Sequence, residues 1–406
     1  MPYRVPFGGG PGALPGSFVS YRLTSGGMLR GLLWSAQFLL AALIAFNLAV
    51  SVAGWRDPIV AVTGSRARRF RIAIPAHDEE AVIGNVVADL KHLAYRPDLF
   101  TIMVLADRCT DQTAAKASAA GADVLERVEG PDGKGPLLRW SLQARPLGPD
   151  EALVVIDADN RVPPDLLERL SDEIDDGAQV VQVYLDVSNP DSSTLATAAA
   201  LSYWASNRMV QLARHNLRWT ADLGGTGMCI TRLALADAGG FGDSLVEDQE
   251  LGVRLFLAGH KVRWLHDVRI SDEKPAGVGV SIRQRSRWVT GRRHVARMYL
   301  GRLLKRGHPA SWDLALRLIQ PSRIGVAALS GALALASARG LGLWRWWIWA
   351  GVAAIQLLAP LPFLARDRVP ARYLVRYPFL VLLPLIKIPA RFLRNRGWYH
   401  TPHEGN

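Results

Sequence analysis

The chain has 406 residues, 49% hydrophobic and 21% charged, with a formal net charge of +12, which leaves room for one large domain and flanking apolar segments. Arginine supplies 41 of the 48 basic residues, a balance that suits a membrane surface or a phosphate-bearing ligand; no basic block is interleaved with stacking aromatics, so no nucleic-acid partner is expected. The two cysteines, Cys109 and Cys229, are far apart and form no CxxC pair, which speaks against a disulfide framework or zinc site and fits a reducing compartment.

Residues 1–27 are rich in Gly and Pro (PFGGGPGALPG) and are expected to be disordered. Residues 28–55 read as a transmembrane anchor: the run 32–53 is 22 residues without a charge, long enough to cross a bilayer, and its long lead-in separates it from a cleavable signal peptide. Arg66, Arg68, Arg69 and Arg71 follow, which by the positive-inside rule places the next domain in the cytoplasm. From 66 to 300, short apolar runs alternate with helical patterns. RIAIP, TIMVLA, ALVVID and VVQVYL read as buried strands; AVIGNVVADLKHL, TAAKASAA and DLLERLSDEI read as the helices between them. That alternation predicts an α/β domain, a mostly parallel sheet with helices on both faces, whose ligands bind at the carboxyl ends of strands. Residues 301–321 are expected to form an interfacial linker helix and 322–392 the C-terminal membrane segments. Within these, 324–338 is a short candidate span. The run 346–364 is a better one, with Trp344, Trp346, Trp347 and Trp349 near its start as an interfacial belt. The segment 377–388 is too short and too Pro-broken to cross. Arg366, Arg368, Arg372 and Arg376 before it, and Lys387, Arg391, Arg394 and Arg396 after it, predict a cytoplasmic tail at 393–406 and residue 1 outside.

The polar signals fall at predicted strand ends. Asp157 and Asp159 form an Asp-x-Asp after ALVVID; extended backbone points both carboxylates the same way, a plausible site for Mg²⁺ or Mn²⁺ with phosphate oxygens, with a helix-capping loop as the alternative. Asp107 ends another strand and can accept hydrogen bonds from a nucleobase or ribose, as can Glu79 and Glu80, although each can also cap a helix. His77 has no second His at ligand spacing. Lys134 lies between Gly133 and Gly135 just before a helix, an arrangement that suits a phosphate or a plain turn. Glu247 and Asp248 open an amphipathic helix; acids there complement the macrodipole, or one serves as a general base for a hydroxyl. The GGTGMC stretch at 224–229 allows close backbone approach. Gln284, Arg287 and Trp288 share a helix face, where Arg suits phosphate and Trp a sugar ring; an amphipathic helix lying on anionic lipid explains the same pattern.

Taken in order, Asp107, Asp157-x-Asp159, Glu247-Asp248 and Gln284-Arg-Ser-Arg287-Trp288, together with IPAHDEE, GKG and GGTGMC, resemble the family-2 glycosyltransferases of the cellulose, hyaluronan and chitin synthase type over about 70–295. The resemblance implies a GT-A type sheet flanked by transmembrane helices, in a multi-pass protein of the inner membrane with its catalytic domain cytoplasmic. It implies an inverting, metal-dependent transfer from a nucleotide-sugar donor, a UDP-sugar, to a glycan or polysaccharide acceptor. Single glycosylation of a membrane lipid, ceramide- or hopanoid-like, is the alternative. By the same resemblance Glu79, Asp107, Lys134 and Asp157 attend the donor, Asp159 ligates Mg²⁺ or Mn²⁺, Asp248 is the base, and Glu247, Gln284, Arg287 and Trp288 line the acceptor and diphosphate. Two positions depart from the family pattern: Asp78 stands where Asn is common and Val246 where Thr is common, and neither removes a catalytic group. A binding protein that keeps the fold without turnover is the other class, and the intact Asp157, Asp159 and Asp248 argue against it.

Overall fold

The computed structural model describes residues 20–378 except 59, 62–63, 66, 275–277 and 341–343. Seven strands form its sheet: β1 Arg69–Ala76, β2 Phe100–Asp107, β3 Asp123–Arg127, β4 Glu151–Val155, β5 Val180–Val187, β6 Met228–Thr231 and β7 Val262–Asp272, in the order β3-β2-β1-β4-β6-β5-β7. Every pairing is parallel except those of β6, which runs antiparallel between β4 and β5.

Alternation along each strand feeds two cores. Ile72, Ile74, Val104 and Val154 meet Val86, Val87 and Leu90 of the Ile83–Lys91 helix and Leu167 and Leu170 of the Leu166–Asp175 helix. Ala73, Met103, Leu105, Leu153 and Val155 belong to the opposite core, with Leu137 and Leu138 of Lys134–Ala144 and Leu251 and Leu255 of Glu247–Ala258. The expected α/β sheet with helices on both faces is therefore present, for the reason that period-2 side chains need cover on each side.

Chain order positions the site. β1, β2 and β3 step one way across the sheet and β4 returns to the other flank of β1, so the crevice at the carboxyl ends of β1 and β4 is a topological switch point. Because β6 is antiparallel, the glycine-rich residues 224–227 that lead into it reach the same edge. Gly227 there has φ +64, and a Cβ on it would lie 2.5 Å from Val183 Cγ2, so no other residue fits.

The N-terminal helix spans Ser20–Val52 and continues as a 3₁₀ turn, Ala53–Trp55. Residues 20–27, expected to be irregular, are thus helical; residues 1–19 lie outside the described residues, as do the tail 393–406 and most of the 377–388 segment. Gly31–Trp55 and Trp346–Arg366 are long and apolar enough to cross a membrane, and Pro309–Ile319 with Arg323–Ala338, bent by 74°, adds a third if the pair is one span. The expected 301–321 linker divides at Gly307 between the end of a 28-residue helix, Val278–Lys305, and the helix Pro309–Ile319.

These apolar helices are fastened to the sheet domain. Phe46 stacks on Trp219 with ring centroids 6.3 Å apart, and Asn47 Nδ2 donates to Gln320 Oε1 at 3.0 Å. Arg208, 4% exposed in a π-helical turn at Asn207–Leu212, bonds Gly54 O (3.0 Å) and Asp57 (3.1 Å) after the first helix, and Asp367 after the last long one. Leu364 and Tyr373 join the second core.

Candidate active site

The Asp-x-Asp loop after β4 is held by its own backbone. Asp157 N donates to Thr226 Oγ1 (3.0 Å) and to Asn160 Oδ1 (3.3 Å), and Asn160 Nδ2 donates to Asp159 Oδ1 at 3.1 Å. Reciprocal bonds between Arg161 and Ser271, 2.9 and 3.2 Å, lay the end of β7 beside this loop and bring Asp272 and Lys274 to it. Lys274 Nζ reaches Asp272 Oδ2 at 2.5 Å and lies 4.0 Å from the Tyr203 ring centroid. The other oxygen of Asp272 is buried without a hydrogen-bond partner among the described residues.

Carboxylates crowd here. Burial first, then the charges of Asp157 and Asp272, push Asp159 up to about 8. Burial first, then Asp159 and Asp157, push Glu79 across the crevice up to about 8. Burial also raises Asp272, against the opposing pull of Lys274. Acids that resist ionising because they face one another, with an orphaned carboxylate oxygen among them, are a donor set suited to a hard divalent cation, and the residues present fit one. A second acidic group, Asp78, Cys109 and Asp111, has its ligand atoms close together, but its carboxylates anchor turns: Thr110 N donates to Asp78 Oδ1 at 2.7 Å, and Thr113 N and Glu80 N donate to Asp111 at 2.9 and 3.0 Å. Asp78 has φ +53, a conformation that Asp and Asn tolerate better than most residues, so the departure from Asn preserves the turn.

Opposite the acids stands the helix Glu247–Ala258. Lys134 bonds Asp157, and Gly225 O at 2.8 Å, so one ammonium ties the acidic loop to the glycine loop. Gly135 beside it presses on Gly242 O, 2.2 Å from where a Cβ would stand, and on Glu247 Cβ, 3.0 Å away. Gly225, φ +82, comes within 3.4 Å of Asp248 Oδ2 by the same measure. Burial, then the charge of Asp248, lifts Glu247 to about 7. Burial also raises Asp248, opposed by the Gln249 amide, Lys134 and Arg287.

The helix Val278–Lys305 delivers Gln284, Arg287 and Trp288 to this end. It comes in close at Gly291, where a Cβ would stand 2.8 Å from both Val246 methyls. Gln284 is half-buried. Arg287 Nε is buried with no hydrogen-bond partner among the described residues, although its charge is felt by Glu247 and Asp248. Trp288 packs against the cluster of Val246, Val253 and Phe256, so part of its ring is core.

Asp107 ends β2 as expected, and both its oxygens are held by arginines: Arg127 Nε at 2.7 Å, Arg108 Nε at 3.1 Å and Arg108 Nη2 at 3.0 Å. Burial works to raise this carboxyl, and the two guanidiniums overcome it and hold it low. Arg127, Asp272 and Lys274 are site residues the sequence reading passed over. The nearest signal for the last two was the acidic SDEK stretch after an apolar run, which no motif flagged.

An edge of this kind, with an acidic loop at a switch point and a carboxylate on a facing helix, has the layout of a GT-A-like fold. The chain belongs to glycosyltransferase family 2: the family model "Glycosyltransferase like family 2" matches residues 67–291, more than half of its length. It is similar to the probable glycosyltransferase YdaM of Bacillus subtilis, 27% identical over 252 residues covering 58% of each chain. It is also similar to the beta-monoglucosyldiacylglycerol synthase of a Nostoc species, 25% identical over 283 residues, 64% of this chain and 57% of that one. The chain thus spans less than two thirds of the length of these curated relatives. Among solved structures, the mannosyltransferase PcManGT from Pyrobaculum calidifontis, in complex with GDP-Man and Mn²⁺, superposes with a TM-score of 0.55 at 17% identity over 88% of this chain and 99% of that one, a likeness of fold. The cellulose, hyaluronan and chitin synthase branch of the family finds no support in these relatives; membership of the family does.

Proposed function

We propose that the chain moves a hexose with inversion from a UDP-sugar to the hydroxyl of a membrane lipid, from the cytoplasmic side of the inner membrane. The acceptor oxygen attacks the anomeric carbon, the bond from that carbon to the diphosphate oxygen breaks, its electron pair leaves with UDP, and the hydroxyl proton passes to Asp248. The observation that carries the reading is Asp248 itself: a base with a raised proton affinity, on a helix N-terminus, with the backbone of a glycine loop drawn up against it. Lys134 and Arg287, whose Nε has no hydrogen-bond partner among the described residues, supply fixed positive charge near the departing diphosphate. Asp159, with Asp157 and Asp272, would hold Mg²⁺ or Mn²⁺, which when bound adds Lewis-acid charge against the same leaving group. Asp107 acts on the nucleoside side through the arginines it holds, Glu79 lies on the donor side, and Glu247, Gln284 and Trp288 border the acceptor.

Lipid is preferred over glycan for two reasons. The Nostoc relative is named for a diacylglycerol product, and the apolar helices of this chain pack directly behind the helix that carries the base: Asn47 and Gln249 border one cavity. A glycan acceptor remains the second reading, since a QRSRW-type sequence such as that at 284–288 occurs with both kinds of acceptor. To test this, the purified chain in detergent is given labelled UDP-glucose, Mg²⁺ and a total lipid extract. Label should appear in the organic phase together with free UDP. Label confined to a water-soluble polymer would reverse the choice.

A further inference from the structure

A cavity of about 270 Å³ lies between the helix Glu247–Ala258 and the apolar helices. At one end it is walled by Leu223, which leads into the glycine loop, and by Gln249, the neighbour of Asp248. At the other end are Leu43, Ile44 and Asn47 of the N-terminal helix and the bend between Pro309–Ile319 and Arg323–Ala338. Aliphatic and polar side chains share the wall about equally, and three arginines line it. Arg317 is neutralised by Asp222 and, at 3.0 Å, by Asp313. Arg292 and Arg323 have no carboxylate partner among the described residues, and Arg323 Nη1 is buried with no hydrogen-bond partner. Gln249 Oε1 is buried and, among the described residues, unpartnered as well. Unpaired guanidinium groups in a half-buried chamber are costly unless an anion meets them, and the chamber reaches from the N-terminal apolar helix to Gln249, the residue beside the proposed base.

From this juxtaposition we propose that the cavity seats the headgroup of the acceptor lipid, and that this headgroup is anionic, a phosphate held by Arg323 and Arg292 while a hydroxyl near Gln249 faces Asp248. The inference rests on the lipid-acceptor reading and narrows it, since a neutral diacylglycerol offers nothing to the two guanidiniums. Arginine suits this task because its planar donor fork matches phosphate oxygens.

The test uses the full chain in a neutral detergent and three soluble probes: dihexanoyl phosphatidylglycerol, dihexanoylglycerol and inorganic phosphate, with affinities from calorimetry. The phosphatidylglycerol probe should bind at least tenfold more tightly than either of the others. Arg323→Gln and Arg292→Gln should each weaken it by about tenfold, the scale of one charge-assisted hydrogen bond. Arg323→Lys, which keeps the charge, should recover most of the loss, and unchanged melting temperatures separate lost contact from lost fold. Equal affinity for the charged and neutral lipids, or indifference to both Gln variants, overturns the anionic headgroup and leaves the lipid-acceptor reading standing. Binding of phosphate as tight as that of the lipid means an anion site unconnected with lipid and also overturns the proposal. Failure of the lipid-acceptor reading itself shows separately, as label that never enters the organic phase with any lipid.

Discussion

Glu247 and Asp248 occupy the first turn of one helix, where the macrodipole favours their charge and burial opposes it. Burial prevails, so the pair holds a proton to higher pH than free carboxylates do. Transfer should therefore rise with pH through an apparent value that belongs to the pair rather than to either residue and lies above the ordinary carboxylate range. Asp248→Asn keeps the size of the side chain and cannot take the proton; kcat should fall roughly 100-fold or more while the affinity for UDP, measured by calorimetry, changes little. Near-normal turnover by this variant would remove Asp248 from the role. The same raised proton affinity affects stability. The unfolded chain releases the Glu247 proton near 4.5 and the folded protein keeps it to about 7, so stability falls as pH rises through that window. Glu247→Gln cannot ionise and escapes the loss. Its melting temperature relative to the parent should therefore be higher at pH 8 than at pH 5; the same difference at both pH values would contradict the burial argument.

At the scale of elements, the site depends on how closely the helix Val278–Lys305 approaches the residue before Glu247. With Gly291 only 2.8 Å, by its missing Cβ, from the Val246 methyls, Gly291→Ala must push the two helices apart. Overpacking of this kind costs about 1–3 kcal/mol, and misplacing a catalytic group by about 1 Å can cost on the order of 100-fold in rate. The variant should lose kcat more than stability, and adding Val246→Ala should restore much of it; no recovery in the double variant would mean the contact is not what positions Asp248. None of this closeness could be read from the sequence, where Gly291 is one glycine in an arginine-rich helix. The strands β1, β2, β4 and β5 were legible because each is an apolar run with cover on both faces. β7 was not, because Arg263, His266, Asp267 and Arg269 interrupt it, and β6, four residues long, is too short to show a period. The motif acids and Lys134 were readable from their place after strands and before helices, whereas the bond from Lys134 to Asp157, the arginines on Asp107 and the approach of Asp272 depend on strand order, which local pattern does not encode.

In the whole molecule one buried guanidinium joins the sheet domain to the apolar helices at both ends of the chain. Arg208 meets Gly54 and Asp57 after the first and Asp367 after the last long one. Arg208→Ala strands a buried Asp367 and should cost about 3–5 kcal/mol, read as a lower melting temperature and faster proteolysis between 56 and 68. Asp57→Asn, at a side chain 65% exposed, should cost less than about 1 kcal/mol; equal losses from the two would mean Arg208 is not the latch. The same fastening bears on topology. Leu364 and Tyr373 pack into the core beneath the sheet, and Tyr373 donates to Asp191 at 2.7 Å, so the segment after Trp346–Arg366 lies against the sheet domain and should share its side of any membrane that helix crosses. Its Arg366, Arg368, Arg372 and Arg376 agree with a cytoplasmic position. In a chain whose Cys109 and Cys229 are replaced by Ala, Val375→Cys provides a reporter at a position 77% exposed. An impermeant maleimide should fail to label it in intact cells and label it rapidly once the cells are opened. Asn406→Cys, in the tail beyond the described residues, should behave the same way if the Pro-broken 377–388 segment does not cross. Rapid labelling at 375 in intact cells would place the sheet domain outside and overturn the proposed cytoplasmic reaction. Labelling at 406 alone would instead mean that the last segment crosses.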